Sequence, residues 1–374
     1  MIIKSFNPPR RILMGPGPTD ISPQVLSALS RPTLGHLDPL FVGMMDEVKW
    51  MLQQTFITKN EATLAISAPG SAGMEACFVN LLSPGDTVIV CRNGVFGGRM
   101  VENVERCGAH AIVVDDPWGR AVSAEKLEAA LKQHPEAGYV AFVHAETSTG
   151  ALSDAKALCQ LAQQHHCLSI VDMVTSLGGV PVYVDEWGVD AAYSGSQKCL
   201  SCVPGLAPVS FSPRAVEHIL RRPHKSQSWF LDQSLVMHYW SGSGKRTYHH
   251  TAPVNSLYGL HEALLRLQDE GIENAWARHE AMHQRLVSGL NTLGLKLVVP
   301  EGERLPQLNT VWIPEGKDDQ RIRSYLLNQY NLEIGAGLGE FAGKAWRIGV
   351  MGYGARNENI ALCLSALEDA LENA

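Results

Sequence analysis

The sequence has no long apolar run, no excess of positive charge and few cysteines, and each shortage narrows what the chain can be. No stretch of about 18 consecutive apolar residues occurs, which leaves no candidate for a helical membrane span. Lys and Arg number 31 against 38 Asp and Glu, a formal net charge of -7. That balance argues against nucleic acid or an anionic membrane surface as the main partner. Eight cysteines in 374 residues are too sparse for a small disulfide framework. Cys199 and Cys202 form one C-x-x-C, but no second pair at zinc-site spacing accompanies it. The adjacent pairs His165-His166 and His249-His250 make poor metal sites, because neighbours on a strand point to opposite faces. The opening MIIKSFNPPRRILMGPGPTD lacks the apolar core and cleavage site of a secretory leader, so a cytoplasmic location is expected.

What is present is alternation. With 45% hydrophobic residues the chain can bury a sizeable core, and its length suggests a large and a small domain. From Glu61 onward short apolar runs alternate with helical stretches. The runs predict strands at 62–67, 87–91, 110–115, 139–146, 167–174, 190–196 and 207–212; helices are expected at 72–82, 97–107, 123–133 and 154–165. Near-continuous apolar strands are those buried on both faces, and their alternation with helices predicts an α/β fold with a mostly parallel seven-stranded sheet. Right-handed crossovers then align the strand C-terminal ends along one rim, where ligands bind. After Thr251 the texture changes. A long helical stretch over 252–291 leads to strands near 295–299 and 309–314 and helices at 318–329 and 357–372, a smaller α+β domain. The expected division is an extended N-terminal arm at 1–25, a large domain at 26–255 and a small domain at 256–374.

Four polar features fall on the predicted rim. SAPGSAGMEA (67–76) follows a strand and opens a helix, so its backbone amides can cradle a phosphate or simply make a turn. It matches neither a dinucleotide fingerprint nor a Walker loop. Asp172 closes a fully apolar strand, where a carboxylate needs a cation, a proton, or a role as helix cap. Glu146 to Gly150 (ETSTG) supplies hydroxyls or a turn at the same rim. Lys198 sits in YSGSQKCLSCVPG, with Asp190 and Arg214 as its nearest charged neighbours in sequence. Together these match the needs of pyridoxal 5'-phosphate: amides and hydroxyls for the phosphate, a carboxylate for the pyridine nitrogen, an amine for the aldehyde.

The chain resembles the alanine–glyoxylate and serine–glyoxylate aminotransferases, a class V group of fold-type I pyridoxal phosphate enzymes. The resemblance runs nearly end to end, through MGPGPT (14–19), GHLDP (35–39), GSAGMEA (70–76), NGVFGGR (93–99), ETSTG (146–150), VDMVTSLGG (171–179), YSGSQKCL (193–200), YHHTAPV (248–254) and GKAWRIGVMG (343–352). It implies that Lys198 bonds the cofactor and shuttles protons while Asp172 meets the ring nitrogen. Phe96 takes the stacking position that is Trp in many relatives. Gly70, Ser71 and Ala72 wrap the phosphate with Gln197; Thr147 lies near the ring hydroxyl and Val174 against its other face. Tyr248 and Thr251 reach the phosphate of a neighbouring subunit, which makes a homodimer the working unit. Arg347 grips the substrate carboxylate, and Gly17 approaches the substrate with backbone alone.

These roles imply transfer of an amino group from alanine or serine to glyoxylate or a similar 2-oxo acid. The tail GKAWRIGVMGYGAR also resembles the (S)-ureidoglycine–glyoxylate branch. That branch tends to carry a glutamine and an asparagine where this chain has His36 and Tyr248. A desulfurase on the same fold would need a histidine over the ring, where Phe96 stands.

Overall fold

A computed structural model of the protein describes residues 3–241 and 246–374. Seven strands build the main sheet: β1 (Ala62–Ile66), β2 (Thr87–Arg92), β3 (His110–Asp115), β4 (Tyr139–Val143), β5 (Leu168–Asp172), β6 (Ala191–Tyr193) and β7 (Ala207–Phe211). Their order is β1-β7-β6-β5-β4-β2-β3. Every pairing is parallel except the two that β7 makes, with β1 and with β6. Because β7 is antiparallel to both neighbours, the C-terminal ends of the other six strands share one rim. Each residue of β1, β4, β5 and β7 is buried, as strands covered on both faces require.

All seven expected strands are present; five are shorter than their apolar runs, and for two of these the backbone shows where the ladder ends. The 139–146 run breaks at His144, after which Ala145–Glu146 pairs separately with Ala151–Leu152. The 190–196 run leaves the regular ladder after Tyr193, although Ser194 and Ser196 still donate to the Pro208 and Leu206 carbonyls. Two crossover helices begin at the rim, α1 (Gly70–Leu81) and α2 (Val95–Arg106). Each starts two residues before the helix expected from its periodicity.

A further helix, Pro39–Phe56, packs on β1 without a counterpart among the sequence-based expectations. Phe41, Met45, Val48 and Leu52 are fully buried along one side, while Leu40 and Trp50 on the other face solvent. Apolar residues on both faces blur the periodicity that a sequence reading relies on.

The expected helical stretch at 252–291 is two helices, α3 (Val254–Glu270) and α4 (Ile272–Thr292). They are separated by Gly271, whose N–H bonds back to the Leu267 and Gln268 carbonyls. Strands β8 (Leu308–Trp312) and β9 (Ala345–Gly349) pair antiparallel, and Gly335–Ala336 joins the other edge of β9. The strand expected at 295–299 is reduced to an isolated bridge between Leu297 and Val311. Only the Lys296 carbonyl and the Val298 N–H reach the neighbouring strand before Pro300, which has no N–H to continue the ladder.

Apolar burial falls into two main clusters. The larger runs from Val25 to Ala275 around the seven-stranded sheet, and the second gathers Met14 with residues between Leu286 and Ala370. Near the N-terminus, Ile12–Leu13 pairs in parallel with Leu332–Glu333, and the Met14 carbonyl accepts from Gly349 N–H at 2.7 Å. The residues that follow, Pro16 and Gly17, run on to the sheet rim, where they meet Lys198. Among the described residues, no helix is long and apolar enough to cross a membrane.

Candidate active site

The rim holds a cavity of ≈ 210 Å³, assembled from five strand ends. Gly70 and Ser71 reach it from the start of α1 beyond β1, and Phe96 from the start of α2 beyond β2. Thr147 follows β4, Asp172 and Val174 end β5, and Gln197 and Lys198 follow β6. All eight were expected from sequence to lie together. Pro69, Met74, Arg99 and Tyr193 also line the space.

Asp172 is 2% exposed. Its Oδ1 accepts from the Val174 N–H and its Oδ2 from the Tyr193 hydroxyl, both at 2.8 Å. Burial nevertheless lifts the carboxyl to about 7, with those two donors and Lys198 pulling it down and the buried Glu146 carboxylate adding to the rise. Lys198 is 9% exposed. Burial first, and then the nearby Arg347 charge, lowers its amine to about 8. Free base is then far more available near neutral pH than on an ordinary lysine, as a nucleophile or proton acceptor requires.

The amine donates to the Pro16 carbonyl, and the adjoining Gly17 is there for a physical reason. Its φ is +106°, and a Cβ on it would lie 2.6 Å from Lys198 Nζ. Any side chain would be strained and would push the lysine aside.

Arg347 lies on β9, opposite Thr310 and Gly335. Its Nε donates to the Ala336 carbonyl at 2.7 Å and its Nη1 to the Thr147 carbonyl at 3.1 Å. Among the described residues no carboxylate forms a salt bridge with it. Burial lowers it to about 10, against the pull of Glu146. A buried guanidinium braced by carbonyls but lacking an anion is suited to receive a carboxylate from a ligand.

At the start of α1 the preceding residue is Pro69, and no side chain caps the first turn. The Ala72 N–H is donated to the Pro69 carbonyl at 2.8 Å, and Ala72 does not line the cavity. In the opposite wall, Gln197 Oε1 is buried without a hydrogen-bond partner. Open amides at a helix start form a site for an anion such as phosphate, to which Gln197 could add a donor only through its Nε2. Tyr248 and Thr251 stand apart. Tyr248 is 56% exposed, its hydroxyl lies 3.4 Å from Thr251 Oγ1, and neither residue lines this cavity.

The Aminotransferase class-V family profile matches residues 25–342. The chain belongs to that family. Its fold is fold type I of the pyridoxal phosphate-dependent enzymes, and this class V aminotransferase is a transaminase. It is 40% identical to alanine–glyoxylate aminotransferase of Rattus norvegicus, over 99% of this chain and 90% of the relative. The crystal structure of alanine–glyoxylate aminotransferase from Nostoc sp. superposes with a TM-score of 0.97 at 44% identity, covering 99% and 98% of the two chains. The ureidoglycine–glyoxylate aminotransferase structure from Bacillus subtilis gives a TM-score of 0.96 at 37% identity, covering 99% and 95%. Family membership implies pyridoxal phosphate as cofactor.

Sequence reasoning gave Tyr193 no role, although it closes a strand next to that of Asp172. A signal was available, since a tyrosine hydroxyl at the end of a buried strand needs a partner. Arg99 closes the NGVFGGR motif, but sequence reasoning gave it no role. The fold brings it into the cavity wall, with its guanidinium carbon 4.8 Å from the Phe96 ring centroid. Among the described residues no cluster of three His, Cys, Asp or Glu side chains could hold a metal ion. Cys199 and Cys202 are buried, and burial raises both thiols to about 12, which leaves them unreactive at neutral pH.

Proposed function

We propose that this aminotransferase moves an amino group from alanine or serine to glyoxylate or a similar small 2-oxo acid, using pyridoxal 5'-phosphate held in the rim cavity. The observation that carries the reading is one buried amine and one buried carboxylate lining a single space, with a carboxylate-free arginine behind it, bonded to the Thr147 carbonyl. The donor set fits the cofactor. Gly70, Ser71 and Gln197 would hold its phosphate, Asp172 its ring nitrogen, Phe96 and Val174 its two faces, and Thr147 its ring hydroxyl. Ala72, one residue further into the helix, would support that turn.

When bound, the cofactor supplies an aldehyde for an amine and a ring that draws electrons from the bond breaking at the substrate α-carbon. The chain's residues do the rest. Asp172 keeps a proton at the ring nitrogen, which pulls the carboxylate back into its ionised form. Arg347 anchors the substrate α-carboxylate with its free Nη2 edge, fixing which substituent faces Lys198. Lys198 Nζ, as free base, would accept the α-proton and return it on the far side of the transferred nitrogen. The Pro16–Gly17 backbone closes over that amine and leaves little room for water.

Tyr248 and Thr251 support a homodimer with shared sites, because they are polar, close to each other and outside the lining of their own chain's cavity. Leu37, Leu40 and Trp229 are also large, apolar and exposed, as residues buried by a second subunit are in the isolated chain.

A panel of donors and acceptors, scored by half-reaction rates, tests the substrate choice. Alanine or serine with glyoxylate is expected to lead. Faster reaction of (S)-ureidoglycine would move the chain to the alternative branch, with which the likeness to the Bacillus subtilis structure is consistent. Sulfide released from cysteine would indicate a desulfurase. Lys198→Ala is expected to abolish turnover without unfolding the protein; near-normal activity would refute the assignment.

A further inference from the structure

Glu146 is a fully buried carboxylate that the proposed reaction does not use. Its Oε2 accepts from the Phe96 and Gly97 N–H groups at 3.2 and 3.3 Å. Its Oε1 accepts from the Ser148 N–H at 3.0 Å and the Ser148 hydroxyl at 2.6 Å. Ser148 Oγ in turn accepts from the Val95 N–H at 2.9 Å. The three leading amides of α2, which its own N-cap Gly94 cannot satisfy, are therefore all met by the turn at 146–148.

At seven other helices a local side chain does this work: Ser22, Asp38, Ser123, Asp154, Ser212, Asp232 and Asp318 each cap their own helix, whereas α1, α3 and α4 have no side-chain cap. Stability alone would be served as well by a serine or aspartate at position 94. That option is closed by proximity, since a Cβ on Gly94 would lie 2.5 Å from Glu146 Cγ and Cδ. The helix start is thus docked on the turn. The same turn places Thr147 in the cavity wall and gives the Thr147 carbonyl to Arg347 Nη1 at 3.1 Å.

We infer that Glu146 is a positioning residue for the bound cofactor: through the first turn of α2 it fixes where the Phe96 ring meets the ligand, and it references that ring to the turn that braces Arg347. The inference rests on the cofactor reading above. A glutamine at 146 would turn an NH2 group toward backbone N–H donors on one of its two sides, so the first turn of α2 would have to shift.

The test is a double-mutant cycle on the affinity for pyridoxal 5'-phosphate, read by quenching of tryptophan fluorescence in the full-length protein. Glu146→Gln is expected to raise the cofactor Kd about tenfold. In a Phe96→Ala background the same substitution is expected to change it less than about twofold. The thermal destabilisation from a lost cap should appear in both backgrounds, because it does not pass through the ring. An equal change of Kd in both backgrounds, or none in either, would overturn the inference. Should Glu146→Gln fail to fold, Ser148→Ala enters the same cycle with the same criteria and a smaller expected change. A wild-type protein that takes up no cofactor would instead defeat the underlying reading, and is told apart by that control.

Discussion

Replacing Asp172 with asparagine should make the cofactor-free protein more stable at neutral and alkaline pH while removing its activity. The carboxyl is buried, and its affinity for a proton is raised from the ordinary 3.8 to about 7. A rise of about three units corresponds to about 4 kcal/mol at about 1.4 kcal/mol per unit. The sign follows from linkage. The native state holds this proton more tightly than the unfolded chain, so the contribution is fully favourable below about pH 4 and is lost as pH rises through about 7. Asparagine can still accept from the Val174 N–H, and its amide can donate to the Tyr193 oxygen, so packing changes little. His144 and His279, which burial holds down to about 4, titrate in the same window with the opposite sign. Both proteins carry them, and they cancel in the difference. Urea denaturation from about pH 4 to about pH 8 should give a variant-minus-wild-type stability near zero at the acid end, growing to as much as about 4 kcal/mol at the alkaline end. A flat difference, or one that grows toward acid, would refute the assignment of a strained, destabilising carboxylate.

Arg347→Lys should raise KM for both substrates about tenfold or more, because an ammonium cannot replace the fork and the Thr147 and Ala336 carbonyls lose their donors; unchanged kinetics would place the carboxylate site elsewhere. Gly17→Ala should lower kcat more than it raises KM, since the new methyl meets the lysine tip at a strained backbone position. Activity within about twofold of wild type would argue that this approach is unimportant. Co-expression of Lys198→Ala subunits with subunits carrying Tyr248→Phe and Thr251→Ala tests for shared sites. Mixed dimers should regain activity, because one of their two sites then has neither defect, whereas no recovery would mean that each subunit serves its own cavity.

The sheet and most of the site were legible in the sequence for a common reason. Strands buried on both faces leave unbroken apolar runs, and the polar residues that interrupt them at the rim, Asp172 and Lys198 above all, stand out by contrast. Less legible were features whose partner lies far away along the chain. Tyr193 gains meaning only beside Asp172, and Glu146 only beside Phe96, across gaps that no local pattern spans. The helix at 39–56 escaped because solvent-facing Leu40 and Trp50 disguise its buried stripe. The bridge at Leu297 was overestimated for the opposite reason: β-prone residues were present, but Pro300 cut the pairing short.

The pairing of Ile12–Leu13 with Leu332–Glu333 has a bearing on biosynthesis. Ile12 and Leu13 find their neighbours only after about 320 more residues have been made, on the order of tens of seconds later. Until then the segment that covers Lys198 lacks the strand it pairs with, and the guanidinium of Arg347 does not yet exist. A nascent chain can thus fold its main sheet early while remaining catalytically incompetent, and a fusion that tethers the amino terminus would interfere with the last step of maturation rather than the first.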